Sequence, residues 1–419
     1  MSSSLLQRWR LFLFGITSAL SLMGLVLLGS VMYAHQKRTQ RSRQLDEVKQ
    51  RRQRAASRAR SVQSEVVRGL TKNATLEVRD HGVGRLDLLV ISAGAQYGAF
   101  GAGVLEGWRM VQGSTMAIPQ FDLVTGVSAG ALLASSALVA DPPPSAREEP
   151  VETLFLRARD SWSFDQAWSY LPWTSSLLSV EPLTKGLTTA IGKDLLQRVA
   201  KSARENRLVL IMATNLDLGV PEVFNLSSMA RRAQRSSTPE RILRAYRLRI
   251  RAAASPPPLF PAVEIDSMLY ADGGASHPFF LGPRLDFLQS LRRTLSREGI
   301  AHLVDLRIWV IINSPLWPEP DTIADRYPSL ALRAVRLSSY TAIRTELNRM
   351  QANVAHLAAE GIRSAELRYV AVPSELDAKG NLLLSRRFVR RLRDTGKRFG
   401  AEPASWNQRI LRLRSGNAP

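Results

Sequence analysis

The stretch Phe121-Asp-Leu-Val-Thr-Gly-Val-Ser-Ala-Gly-Ala131 constrains the fold of this chain more than any other. Leu123 and Val124 lie in a short apolar run, Gly126-Val-Ser-Ala-Gly130 follows, and small residues continue from Ala131 in a helical pattern. That order predicts a strand, a tight turn and a helix, with Ser128 at the apex of the turn. A serine so placed needs tiny neighbours two residues to either side, because backbone and helix pass close to it. Gly126 and Gly130 fill those places. The serine also sits over a helix N-terminus, where free N–H groups stabilise developing negative charge. The same pentapeptide can be an ordinary Gly-Ser turn, so its meaning depends on the rest of the chain.

From Leu86 onward strands and helices alternate, which implies a mostly parallel sheet covered on both faces. Strands are expected at Leu86 to Ile91, Leu208 to Ala213, Glu222 to Asn225, Leu306 to Ile312 and Leu367 to Val372. Helices are expected after Gly103, after Ser128, near Phe280 to Arg297, from Ala331 to Glu360 and near Ser385 to Phe399. Residues 151–203 read as helices and turns; their Trp162, Trp168 and Trp173 suggest a cap over a pocket. The chain divides into an N-terminal anchor or signal sequence (1–35), a basic juxtamembrane stalk (36–80), an α/β domain (81–380) and a basic C-terminal helix and tail (381–419).

The anchor rests on an uncharged apolar segment from Leu11 to Ala34, preceded by Arg8 and Arg10. It exceeds the roughly 20 residues that cross a bilayer core as a helix. It is also longer than a usual signal-peptide core and ends without a good Ala-x-Ala site. An uncleaved transmembrane helix is therefore the expectation. Lys37, Arg38, Arg41 and Arg43 outweigh the basic residues ahead of the segment, which puts the following domain on the cytoplasmic side, with an extracytoplasmic domain as the alternative. Gln36 to Lys72 reads as a basic helix or stalk at the membrane surface rather than a core element.

The formal charge of +21 is concentrated in three blocks, 37–60, 231–251 and 386–414, which leave the remainder nearly neutral. Such blocks suit anionic lipid headgroups or nucleic acid. No nucleic-acid recognition motif accompanies them, and attachment to a spanning helix favours lipid. The chain has no cysteine, which excludes disulfides, thiolate metal sites and a cysteine nucleophile. Its five histidines are scattered without metal-binding spacing, so no metal is expected, and the serine chemistry considered below calls for no organic cofactor.

Two further stretches bear on Ser128. Ser92-Ala-Gly-Ala-Gln-Tyr-Gly-Ala-Phe-Gly-Ala-Gly103 lies between a strand and a helix, where small residues let backbone N–H groups converge on an anion. It lacks the spacing of a dinucleotide or phosphate loop and fits an oxyanion hole better. A serine also needs a base. His277, His302 and His356 follow Ser128, but none lies in a loop obviously suited to the task. His277, beside Pro278, reads as a local hydrogen bonder. Asp272 ends a strand before Gly273-Gly274, and a carboxylate in a dry pocket can have its pKa raised enough to act as a base. The competing reading is an ordinary Asp-Gly turn.

These stretches resemble, in content and order, the motifs of the patatin-like phospholipase family. Ser92 to Leu105 is similar to its Gly-rich oxyanion segment, Gly126 to Gly130 to its nucleophile elbow, and Asp272-Gly273-Gly274 to its Asp-Gly-Gly/Ala motif. Ala213 to Gly219 and Ala254 to Pro261 are softer matches, and the likeness spans about Leu86 to Val372. The resemblance implies a three-layer α/β/α domain in which Ser128 is the nucleophile and Asp272 its base. The N–H groups around Gly94, Ala95, Gln96 and Gly98 would form the oxyanion hole. The family's loop usually reads Gly-Gly-Gly-x-Arg/Lys-Gly, whereas here two glycines are Ala93 and Ala95 and the basic place is Tyr97. Alanine keeps the N–H but disfavours positive φ, so this loop must use negative φ there or carry strain. The resulting expectation is a membrane-associated hydrolase of phospholipid or lysophospholipid acyl esters. The alternative is a catalytically weak lipid-binding or scaffolding protein on the same fold.

Overall fold

The computed structural model describes residues 24–25, 27–35, 45–139, 179–257, 259–378 and 385–406. Eight strands form one sheet: β1 (Gly84–Ile91), β2 (Leu123–Val127), β3 (Leu208–Asn215), β4 (Val220–Asn225), β5 (Val263–Ile265), β6 (Met268–Asp272), β7 (Val304–Pro315) and β8 (Ser364–Val372). Their order is β5-β6-β3-β2-β1-β7-β8, with β4 also paired to β3. β3, β2, β1, β7 and β8 run parallel, while β4 and β6 are antiparallel to β3. The α/β architecture with a mostly parallel sheet is as the sequence leads one to expect.

The parallel strands are buried on both faces, and alternate residues serve opposite cores. From β1, Leu86, Leu88 and Val90 enter one core with α8 (Phe287–Arg297) and α9 (Tyr327–Ala359). Leu89 and Ile91 enter the other, with α2 (Gly98–Trp108), α3 (Ala129–Leu138), α5 (Lys193–Arg204) and α7 (Pro239–Ala253). The further helices among the described residues from 45 onward are α1 (Leu45–His81), α4 (Glu181–Ala190), α6 (Leu226–Gln234) and α10 (Arg386–Ala401).

Within the segment expected as a stalk, the described part from Leu45 onward packs into the core. α1 is a helix, but Val66, Leu70 and Ala74 are fully buried under the α8–α9 face. Burial of a Val or Leu side chain stabilises by roughly 1.5–3 kcal/mol each. Polar ties fix the helix along its length: Gln63 donates to Asp286 and Ser290 at 3.2 and 2.9 Å, and Asn73 donates to Asp122 at 2.9 Å. Arg and Gln dominate the exposed side of α1 and hid a sparse apolar stripe, so the reading favoured the surface.

The basic block 231–251 is likewise partly built into the fold. α7 buries Leu243, Tyr246 and Ile250, while Arg231 pairs with Glu65 of α1 and Arg247 donates to the Ile191 carbonyl at 2.8 Å. Most of the expected anchor and the three tryptophans lie outside the described residues. Residues 27–35 are helical, and among the described residues no helix is long and apolar enough to cross a membrane.

α10 packs directly on α2. A Cβ on Gly103 or Gly107 would come within 2.0 Å of the Arg393 or Lys397 carbonyl, and one on Gly396 or Gly400 would lie 2.1 Å from the carbonyls of Phe100 and Val104. Contacts advance in the same direction along both helices, which therefore run parallel. Glu106 fastens the pair through Arg393 and Lys397, both at 2.7 Å.

Candidate active site

Ser128 occupies the turn between β2 and α3 with φ 54° and ψ −117°, a left-handed conformation costly for a side-chain-bearing residue. The turn is sharp enough that a Cβ on Gly126 would lie 2.3 Å from the Gly130 carbonyl oxygen. One on Gly130 would lie 2.1 Å from that of Ile91. Both glycines are thus sterically required, and the elbow seen in the sequence is present.

Asp272 reaches Ser128 through the register of β3. Met212 of β3 pairs with Val127, the residue before the serine, and the next residue, Ala213, pairs with Asp272. β4 occupies the other edge of β3 from Leu210 to Asn215, so β2 and β6 meet end to end on one edge. The aspartate backbone is held by its N–H to the Ser255 carbonyl at 3.0 Å and by the Thr214 hydroxyl to its carbonyl at 2.9 Å. Its Oδ1 accepts the Gly274 N–H at 2.7 Å, and Gly273 packs against the Met212 carbonyl. Oδ2 is buried without a hydrogen-bond partner among the described residues. Burial pushes the Asp272 pKa up to about 7, opposed by the nearby Ser128 hydroxyl and by the Gly274 N–H.

The Gly-rich loop lies beside this pair. The Cβ of Ala93 is 3.4 Å from where a Cβ on Gly274 would be, and the Ala93 N–H donates to the Pro278 carbonyl at 2.8 Å. Gly94 is required by close approach, since a Cβ there would sit 2.0 Å from the Asn313 carbonyl oxygen. Ala95 has φ 48°, so the loop adopts the left-handed conformation at the place where alanine replaces glycine. Ala95, Gln96 and Tyr97 form a 3-10 turn in which the Tyr97 N–H reaches the Gly94 carbonyl at 2.9 Å. The Gly98 N–H is directed to the Ala95 and Gln96 carbonyls and starts α2, unlike the outward role expected of it. The Ala129 N–H at the start of α3 adjoins the serine and is one of the helix N-terminal donors expected there.

Tyr97 does not stand in for a cation at the site. Its hydroxyl accepts the Ala378 N–H at 2.6 Å, its ring meets Phe388 edge-on at 6.5 Å, and burial raises its pKa further. Asn313, near the end of β7, is the residue most clearly missed. Its Oδ1 accepts the Gly101 N–H at 3.0 Å, its Nδ2 donates to the Ser92 carbonyl at 2.9 Å, and its N–H meets Ser92 Oγ at 2.8 Å. The only signal was a polar residue closing an apolar strand. His277 bonds through its backbone N–H to the Gly273 carbonyl at 3.0 Å. Its ring lines a cavity of about 480 Å³ with Met212, Phe280, Leu281 and Met350.

A glycine-flanked serine on a strand-to-helix elbow, at the carboxyl edge of a mostly parallel sheet, places the molecule among α/β proteins built around an elbow serine. Residues 89–283 match the family model described as Patatin-like phospholipase. No curated protein matches the chain. Among solved structures, VipD from Legionella pneumophila is similar at 13% identity and TM-score 0.31, covering 75% of this chain and 65% of that one. The likeness therefore extends over less than two thirds of that protein.

Proposed function

We propose that this protein is a serine lipid acyl hydrolase that uses Ser128 and Asp272 and no histidine. The observation that carries the reading is the Asp272 carboxylate, buried beside the elbow serine with Oδ2 unpartnered and a pKa near 7. Near neutral pH such a carboxylate is substantially ionised yet basic enough to accept a proton. Asp272 takes the Ser128 hydroxyl proton as Oγ attacks the ester carbonyl carbon. The negative charge on the carbonyl oxygen is met by N–H groups of Gly94, Ala95, Gln96 and Ala129. The tetrahedral intermediate collapses, the alcohol leaves with the proton from Asp272, and Ser128 is left acylated. Water then attacks the acyl-enzyme, giving up its proton to Asp272, and the fatty acid is released as Ser128 recovers its proton.

The substrate class we infer is a glycerophospholipid or lysophospholipid. The family supports lipid hydrolysis in general, and the apolar segment 11–34 with its flanking basic residues supports attachment to a membrane. Tyr97 favours a second reading, a catalytically weak lipid binder, because its hydroxyl is committed to Ala378 and brings no cation to the loop. A fluorophosphonate probe with lipid product analysis separates the two. The enzyme reading expects labelling and fatty-acid release that vanish in Ser128→Ala. A folded wild type that takes no label and releases no acid would sink it.

A further inference from the structure

The Gly-rich loop beside Ser128 has to be held at both ends. Ala95 takes φ 48°, an unfavourable conformation for a residue with a Cβ. The N–H groups of Gly94, Ala95 and Gln96 serve an oxyanion only while they point at one place. Asn313 grips the amino end, through the Ser92 carbonyl at 2.9 Å and by close backbone approach to Gly94. The carboxyl end is the 3-10 turn of Ala95 to Tyr97, a form whose hydrogen-bond geometry is poorer than that of an α-helix. That end needs its own support.

The Tyr97 side chain supplies a tie to the rest of the fold. Its hydroxyl accepts the N–H of Ala378, a buried residue 281 positions away. The segment carrying Ala378 follows β8 and is itself pinned. Leu376 lies in the core shared with α2 and α3. The Asp377 side chain is fully buried: Oδ2 accepts the Tyr340 hydroxyl at 3.0 Å and the Glu319 N–H at 3.1 Å, and Oδ1 accepts from the Arg336 guanidinium. Arg336 also donates to the Tyr340 hydroxyl at 3.0 Å. A buried carboxylate is tolerated only while its cation and donors stay in place. The cluster therefore joins α9, the chain leaving β7 and residues 377–378 in one fixed arrangement. The proton transfers at Ser128 make no use of it. Phe388 meets the Tyr97 ring edge-on at 6.5 Å, so a phenylalanine at 97 would fill the same space without the hydroxyl bond.

We propose that Tyr97 and Asp377 are positioning residues for the oxyanion loop. The Tyr97 hydroxyl ties the carboxyl end of the turn to Ala378, and the Asp377 carboxylate holds that segment in place from α9. The inference deepens the hydrolase reading and rests on it for the effect on turnover, while the effect on the loop is measured without hydrolysis.

Full-length Tyr97→Phe, Asp377→Asn and the double variant test it by amide hydrogen exchange and by turnover. Tyr97→Phe removes only the hydroxyl, and Asp377→Asn keeps the shape while removing the charge that answers Arg336. In each, the amides of Gln96, Tyr97 and Gly98 should exchange roughly fivefold faster or more, with those of Gly126 to Gly130 and of β3 unchanged. With sites counted by fluorophosphonate labelling to completion, kcat per labelled site should fall about tenfold and KM stay within about twofold. That is short of the roughly hundredfold loss on removal of an entire oxyanion donor. The double variant should lose no more than the worse single one, because both act through Ala378. Should Asp377→Asn fail to fold, Tyr97→Phe decides alone. Loop amides that exchange as in wild type, faster exchange spread evenly over the domain, unchanged kcat per labelled site, or losses that add in full overturn the proposal. A wild type that takes no label removes the hydrolase reading, and exchange of the loop amides then still decides whether Tyr97 and Asp377 hold the loop.

Discussion

Asp272→Asn should abolish activity and, above neutral pH, make the protein more stable. Asparagine keeps the shape and can still accept the Gly274 N–H, but it never has to be charged in a buried place. The Asp272 pKa rises from 3.8 to about 7 on folding. Between these values the folded state holds a proton that the unfolded chain has released, so wild-type stability falls as pH rises through the interval. Below 3.8 both states are protonated and nothing is lost; above about 7 both are ionised and the full cost applies. At about 1.4 kcal/mol per pH unit, that cost is on the order of 4 kcal/mol. Urea unfolding followed by tryptophan fluorescence should therefore show the variant nearly matching wild type at about pH 4 and gaining several kcal/mol by about pH 8. Asp122 is also raised to about 7 by burial, but it is present in both proteins and cancels in the difference. A variant no more stable than wild type at alkaline pH, or a gap that does not widen with pH, would refute the reasoning. The same carboxyl predicts that kcat/KM falls as pH drops through about 7, because the base becomes occupied.

Asn313→Ala should lower both stability and turnover. It strands the buried Gly101 N–H and Ser92 carbonyl at about 1–3 kcal/mol each, and the Gly-rich loop loses its support, so kcat should fall more than KM rises; unchanged melting together with unchanged kcat would contradict it. Ala95→Gly should preserve activity and raise stability by about 0.5–1 kcal/mol, because release of the φ 48° strain exceeds the entropy that glycine adds to the unfolded chain. A thermal melt shifted downward would show that the left-handed conformation is not used.

Some of this site was legible in the sequence because its requirements are local. Gly126 and Gly130 are dictated by atoms within a few residues of Ser128 or by the adjacent strand, so a five-residue pattern records them. Strands alternating with helices likewise announced a mostly parallel sheet, since strands buried on both faces are apolar throughout. The Gly98 N–H was misjudged because a 3-10 turn consumes it, and turn geometry within a run of small residues leaves little trace in composition. α1 was misjudged because its buried stripe is diluted by arginines on three sides, and only the docked partner shows which stripe is inside.

The sequence by itself determined an elbow serine, an aspartate before two glycines and a Gly-rich loop, three short segments whose small residues follow from steric contact. The tertiary structure alone decided that they belong together. β3 seats Val127 and Asp272 on consecutive residues of one edge, and Asn313 ties down Ser92 from 221 positions away. Strand register and long-range hydrogen bonds are properties of the folded backbone, and many sequences satisfy them equally well. A single chain therefore carries no local mark of either.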